Sequence, residues 1–398
     1  MAAEAPRPQA PNLFDPAVAA CPHAAYRKLV DELPVFRAPL TNSPIVARYE
    51  DVLFALRHPE IFSSEMSEQL ALGTVRPMIP QQIDPPAQTR YRKLLDPLFS
   101  RKRMLELEPA VRRNAAELIE GFVGDGRCEF NSQFAIPLPA QAFLHLFGLP
   151  MSDLGLFLEL KDGVIRPQSI AEDPFDGDEI NEIRARSGKR IYAYFEDLIA
   201  LRRRAPRQDL MSFLLEAEID GRKLSHHEIL DISYLQLLAG LDTVTATLGC
   251  NLAYLAANPE QQRRLVEDPS RIEAAVEELL RWETPVMGVP RLVKQDVEIA
   301  GFAIKAGELV LLLLGSANLD PSEFARPEVV DFDRSRNRQI AFGGGNHRCL
   351  GSHLARMELR VALEEWHARI PSYGIEPGQT PTYSVGIREV KHLPLVWG

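Results

Sequence analysis

The sequence predicts a mainly α-helical chain with a smaller β region, and three observations predict it. From Arg101 to Arg204 apolar residues recur at helical spacing, interrupted at Asp125-Gly126, at Pro150 and over the acidic, irregular stretch 168–178. A periodic run opens at Ser225 and continues past Asn251 to Asn258, where Pro259 stops it. Short apolar segments at Ile45–Arg48 and within Leu292–Leu314, the latter divided by Gly301 and Gly307, carry the strand signal.

Taken in order, residues 1–22 are rich in Ala and Pro and read as a loosely attached arm, with residues 23–398 expected as one domain. His23 to Leu33 has helical spacing, and Asp51 is placed to cap a helix over Val52–Arg57. Phe62 to Pro86 lacks periodicity yet carries Met66, Leu70, Leu72, Val75, Met78 and Ile79, so it is either a pocket wall or the edge of a core. Asp84-Pro85-Pro86 then turns into a helix that sets Gln88 and Arg92 four residues apart, on one face that either holds an anion or is simply solvated. Stretch 168–178, rich in Asp, Glu, Gly and Pro between helices, reads as a mobile lid. Ser225-His226-His227-Glu228 is a capping box, and its adjacent histidines read as surface residues. The tail returns to strands, with Val385-Gly386-Ile387 expected at a pocket and a close on Leu393–Trp397.

A formal charge of −10 argues against nucleic acid as a general partner, since phosphate contacts need clustered Lys and Arg. Cys21, Cys128, Cys250 and Cys349 are far apart without Cys-x-x-Cys spacing, which speaks against a zinc site or a disulfide framework and for a reducing compartment. The start lacks the pattern of a signal peptide, and the longest apolar run, Leu309–Leu314, is strand-sized. A cytoplasmic protein with no membrane contact is expected.

The most specific stretch is Ala341-Phe-Gly-Gly-Gly-Asn-His-Arg-Cys-Leu-Gly351, leading straight into a helical pattern. Glycines 343–345 allow positive φ and close approach of a flat partner, and Cys349 at a helix start is placed to act as an anionic ligand or nucleophile. An isolated Cys is more often a buried core residue. Here Phe342, Gly343, Gly345, His347, Cys349 and Gly351, in this spacing, resemble the haem-binding loop of the cytochrome P-450 family of haem-thiolate monooxygenases.

That resemblance covers the chain from about His23 to the end. It implies haem b, held between the long central helix and the Cys-bearing loop, with Cys349 as the iron ligand, Phe342 beneath the macrocycle and His347 at a propionate. Arg92 and Arg291 match propionate-binding arginines. Gln88 stands where many members have His and offers only a neutral hydrogen bond. Ala239-Gly240-Leu241-Asp242-Thr243 matches the oxygen-binding helix, where a turn widened at Gly240 admits O2, and implies catalytic roles for Thr243 and Asp242 in proton delivery. Taken alone, Thr243 would bond back to its own helix and Asp242 would pair with an Arg or Lys. Glu278 and Arg281 match the family's Glu-x-x-Arg ion pair, a structural lock. Met78, Ile79, Leu238, Leu241, Val286, Met287, Val289 and Ile387 are the substrate-pocket candidates, with core packing the alternative.

The implied reaction inserts one atom of O2 into a small apolar substrate by hydroxylation, epoxidation or dealkylation. Electrons are expected from NAD(P)H through a reductase and a [2Fe-2S] ferredoxin, drawn to basic Arg101, Lys102, Arg103, Arg338 and Arg348. A monomer is expected. Local resemblance to soluble bacterial camphor-type hydroxylases suggests a terpenoid substrate. A peroxide-driven enzyme or a non-catalytic haem or apolar-ligand carrier on the same fold are the alternatives, and neither needs the Asp242-Thr243 pair.

Overall fold

The structure, a computed structural model, describes residues 10–13, 15–66, 72–384 and 387–398. Leu70, Val385 and Gly386 lie outside the described residues. Helices dominate, with short strands gathered into small sheets, as predicted. Contacts divide the chain into two units interleaved in sequence: one comprises 1–63, 246–349 and 371–398, the other 64–245 and 350–370.

The first unit contains a sheet in the order Val35–Arg37, Pro44–Val46, Leu309–Leu312, Val289–Val293, Phe62–Ser63. Ile45 pairs in parallel with Leu311, and the other neighbours run antiparallel. Val297–Ile299 and Phe302–Ile304 form a hairpin whose Ala300 and Gly301 both take positive φ, the two-residue turn that follows strand twist. The helix expected after Asp51 starts earlier, spanning Tyr49–Arg57. Its cap is remote: the N–H of Tyr49 donates to Asp320 Oδ2 at 2.9 Å, a partner no local pattern reveals.

The expectation of a loosely attached arm up to residue 22 is corrected for residues 15–22. Leu13 and Ala19 are buried, Asp15 caps the short helix Pro16–Ala20, and Arg388 donates to the carbonyls of Ala19 and Ala20. Arg388 is itself buried, pairs with Glu283 at 2.8 Å and lies over the ring of Tyr383.

The second unit packs Arg101–Glu120, Pro137–Leu146, Leu154–Ile165, Gly177–Arg204 and Ser352–Arg369 with the first half of the long helix His226–Ala257. Phe143 meets Phe147 and Phe157 at ring separations of 4.7 and 5.7 Å, and Phe147 meets Phe195 at 5.7 Å. A second aromatic group sets Phe122, Phe130 and Phe134 around the fully buried Trp366. The capping box forms reciprocally, Ser225 N to Glu228 Oε2 at 2.6 Å and Glu228 N to Ser225 Oγ at 3.3 Å. His226 is half-buried and bonds Glu196 at 2.6 Å. Among the described residues no helix is long and apolar enough to cross a membrane.

Replacing Arg388 by Ala strips the cation from buried Glu283 and the donor from the 19–20 carbonyls. The expected cost is roughly 3–5 kcal/mol in chemical denaturation, with faster proteolysis ahead of His23; an unchanged midpoint and digestion pattern would contradict the role given to this pair.

Candidate active site

The Cys349 loop is a closed turn. Gly343 N–H donates to Ile340 O at 2.8 Å, Arg348 N–H to Gly345 O at 3.2 Å and Cys349 N–H to Phe342 O at 2.9 Å. Gly343 and Gly345 have φ of 68° and 62°, in the region that side chains disfavour. A Cβ on Gly345 would also collide with the carbonyl of Leu56, so the loop can lie on the end of helix Tyr49–Arg57 only because that position is glycine. Cys349 is exposed, and Phe342 and His347 are partly so. Cys349 is not inside the following helix: Gly351 is the N-cap and Ser352 the first helical residue.

What fixes the approach to this loop is a buried pair. Glu278 and Arg281 are 1% and 0% exposed and meet through two bonds, of 2.7 and 2.9 Å. Arg281 spends its remaining donors on the carbonyls of Asn318, Pro327 and Val329. Glu278 also accepts from Asp331 N, Arg334 Nε and Asn337 Nδ2. Every lone pair and proton has a use, the condition under which a buried ion pair is tolerated. From Asn318 the chain of contacts continues, because its Oδ1 accepts from Ile340 N at 2.8 Å, where the Cys loop begins.

Arg291 is buried in strand Val289–Val293, with Nη1 on Pro290 O at 2.7 Å. Val286 and Ile387 form an isolated antiparallel bridge, and both remain partly accessible, as does Val289. Met287 instead joins a core cluster with Leu311 and Leu313.

In the second unit, the long helix runs unbroken through Gly240. Between residues 228 and 245 it is mostly apolar and is buried except along Gln236, Ala239, Gly240 and Thr243. These recur at i, i+3, i+4 and i+7, one accessible stripe. Gln236 was not among the residues read from sequence. A Cβ on Gly240 would stand 3.4 Å from the Phe143 ring, ordinary contact, so the glycine keeps the stripe low without being sterically required. Thr243 Oγ1 bonds Ala239 O at 3.2 Å, and Asp242, 1% exposed, meets Arg166 at 2.6 and 2.9 Å and Lys161 at 3.1 Å. Both contacts are those each residue would make as an ordinary helix member. Burial pushes the Asp242 carboxyl up, but the two cations outweigh it and hold the group below its usual range.

Met78, Ile79, Leu238 and Leu241 share one core cluster; Ile79 and Leu238 are 8% and 7% exposed, whereas Met78 and Leu241, at 2% and 1%, are shut in. Leu241 therefore packs inward instead of along the stripe. Gln88 is buried, and Arg92, one turn on, bonds Asp96 at 2.7 Å. Gln82 folds back on Met78 N at 2.9 Å. Arg101, Lys102, Arg103, Arg338 and Arg348 are all exposed, with Arg103 paired to Glu106 and Arg338 to Glu323.

Removing both cations, as Lys161→Met with Arg166→Met, leaves Asp242 buried with its pKa raised. Stability relative to the parent is expected to fall most at neutral pH, where the parent carboxylate is charged and paired. The gap should close on acidification through about pH 4, the ordinary carboxylate range; a gap independent of pH would contradict the pairing.

The family model for cytochrome P450 matches residues 176–366. A probable cytochrome P450 127A1 of Sinorhizobium fredii is 35% identical, covering 94% of this chain and 90% of the relative. Vitamin D(3) 25-hydroxylase of Pseudonocardia autotrophica is 33% identical over 95% of this chain and 94% of its own. Among solved structures, CYP109E1 from Bacillus megaterium in complex with testosterone superposes with a TM-score of 0.87 at 30% identity, covering 96% and 98%. With such identity over nearly the whole of both chains, and with the glycine-flanked thiol and the buried Glu278–Arg281 pair in place, this chain belongs to the cytochrome P450 family and is a monooxygenase.

Proposed function

We propose that this P450 binds haem b through Cys349 and inserts one atom of O2 into a compact apolar isoprenoid, from terpenoid to steroid in size. The observation that carries the assignment is the accessible thiol on a loop bare of side chains at 343–345. That loop fits a flat group with one soft anionic ligand. Among the described residues no cluster of three or more His, Cys, Asp or Glu offers a bare-ion site instead. Arg92, Arg291, His347 and Gln88 would hold the propionates, and Phe342 would pack against the ring.

Bound haem supplies reductive activation of O2, with a thiolate ligand that favours O–O cleavage. The chain's own residues do the rest. Thr243, on the accessible stripe, presents a hydroxyl able to donate one proton and accept another. Ala239 and Gly240 beside it leave room for a diatomic molecule. Asp242, ionised by its two cations, has to release one of them before its carboxylate can carry a proton toward Thr243, so its salt bridges set a threshold on delivery. Val286, Val289 and Ile387 are accessible apolar residues and suit substrate contact. The vitamin D hydroxylase and the testosterone-bound relative support an isoprenoid substrate. Electrons would come from NAD(P)H through a [2Fe-2S] ferredoxin and its reductase, with exposed Arg101, Lys102 and Arg103 offering charge to an acidic partner.

The test is Thr243→Ala with a ferredoxin pair and a substrate that shifts the Soret band. Expected is continued NADH consumption with product falling by about 10²-fold, the lower end of what one positioned proton donor contributes. Unchanged product yield would favour a peroxide-driven role, and no product from the parent protein a carrier role.

A further inference from the structure

The long helix carries a second buried carboxylate, Asp231, which the mechanism above does not use. It lies eleven residues before Asp242, three turns along the same face and about 16 Å away. Leu235 and Leu238 occupy that face between them. Both carboxylates bind cations from other segments. Asp242 grips the end of helix Leu154–Ile165 through Lys161 and the adjoining Arg166. Asp231, with its side chain 5% exposed, takes Arg76 Nε on both oxygens, at 2.8 and 3.1 Å, and the hydroxyl of Tyr192 at 3.1 Å.

The segment that Arg76 belongs to has two further anchors. Tyr234 OH donates to Leu72 O at 2.7 Å, and Tyr192 stacks on Tyr234 at 4.8 Å while the Arg76 guanidinium lies over its ring at 5.2 Å. Gly73, at φ 70°, and Gly188 approach so closely that a Cβ on either would collide with backbone of the other's segment. Directly after Arg76 come Met78 and Ile79, in the core cluster with Leu238, and Gln82, which bonds Met78 N.

We infer that Arg76, Asp231 and Tyr192 form a clasp that positions segment 72–82 on the long helix, and that they are positioning residues for the substrate wall. The assignment of that wall rests on the function proposed above. The helix thereby fixes two neighbouring segments with two carboxylates on one face, Asp242 for 161–166 and Asp231 for 72–82. An ion pair suits this task better than apolar packing because its geometry admits one register, whereas leucines tolerate sliding. Opening the clasp leaves helix Leu154–Ile165 in place and frees only the wall, so the size of substrate accepted should respond to Arg76 without any contact between Arg76 and the reacting atoms.

The experiment compares the haem-loaded full chain with Arg76→Gln, Asp231→Glu and Tyr192→Phe, by amide hydrogen exchange and by stopped-flow binding of imidazole and 4-phenylimidazole. In Arg76→Gln, amides of 72–82 should exchange at least about tenfold faster while those of 161–166 are unchanged. Dissociation of 4-phenylimidazole should quicken by about tenfold and that of imidazole, too small to reach the wall, should not. Asp231→Glu, which keeps the charge, should retain most of the parent's protection at 72–82. Unchanged exchange at 72–82, or equal acceleration at 72–82 and 161–166, overturns the clasp. If Arg76→Gln does not fold, Tyr192→Phe decides: selective acceleration of 72–82 supports the clasp and none overturns it. A parent protein whose Soret band answers neither azole contradicts the haem reading, and the exchange comparison still judges the clasp.

Discussion

The bidentate contact between Glu278 and Arg281 is the constraint on which the thiol loop depends. Along the irregular chain from 318 to 340 the carbonyls of Asn318, Pro327 and Val329 accept from Arg281, and the amide of Asp331 donates to Glu278. Burying both charges costs several kcal/mol per ion before pairing, so the net contribution to stability is small. What the pair provides is a single arrangement. Arg281 reaches Asn318, Asn318 reaches Ile340, and the loop closed on Cys349 begins there. Gly345 completes the placement by letting the loop rest on the carbonyl end of helix Tyr49–Arg57.

The long helix applies the same logic. Leucines at 235, 237, 238 and 241 bury it, each stabilising by about 1.5–3 kcal/mol, but apolar burial alone does not say which neighbour sits where. Asp231 and Asp242 supply that information, each through cations from a different segment. The one stripe left accessible, Gln236, Ala239, Gly240 and Thr243, is where small side chains and a hydroxyl meet open space. An ionised Asp242 next in sequence to Thr243 joins the structural clasp to the proton chemistry proposed for the site.

Much of this was legible in the residues. The capping box at Ser225 and Glu228, the long helix ended before Pro259, the hairpin at Gly301 and the glycine-flanked Cys349 are local patterns, and local patterns survive folding. The remote partners were not legible. Asp320 caps the helix at Tyr49, Arg388 fastens Pro16–Ala20, and Lys161 and Arg166 face Asp242, each across many residues of sequence. Burial of single side chains was equally hidden: Leu241 and Met287 carry the right chemistry for a pocket, and only packing sends them into cores. The shared face of Asp231 and Asp242 is legible in their spacing, since acids eleven residues apart on a helix fall on one side.

The proposed bond from Cys349 Sγ to a haem iron is read out by the difference spectrum of the reduced, carbon monoxide-bound protein. A Soret band is expected at the long wavelength typical of thiolate-ligated haem, lost in Cys349→His while haem is retained. A parent protein that binds haem without that band, or a Cys349→His variant that keeps it, would contradict ligation by this sulfur.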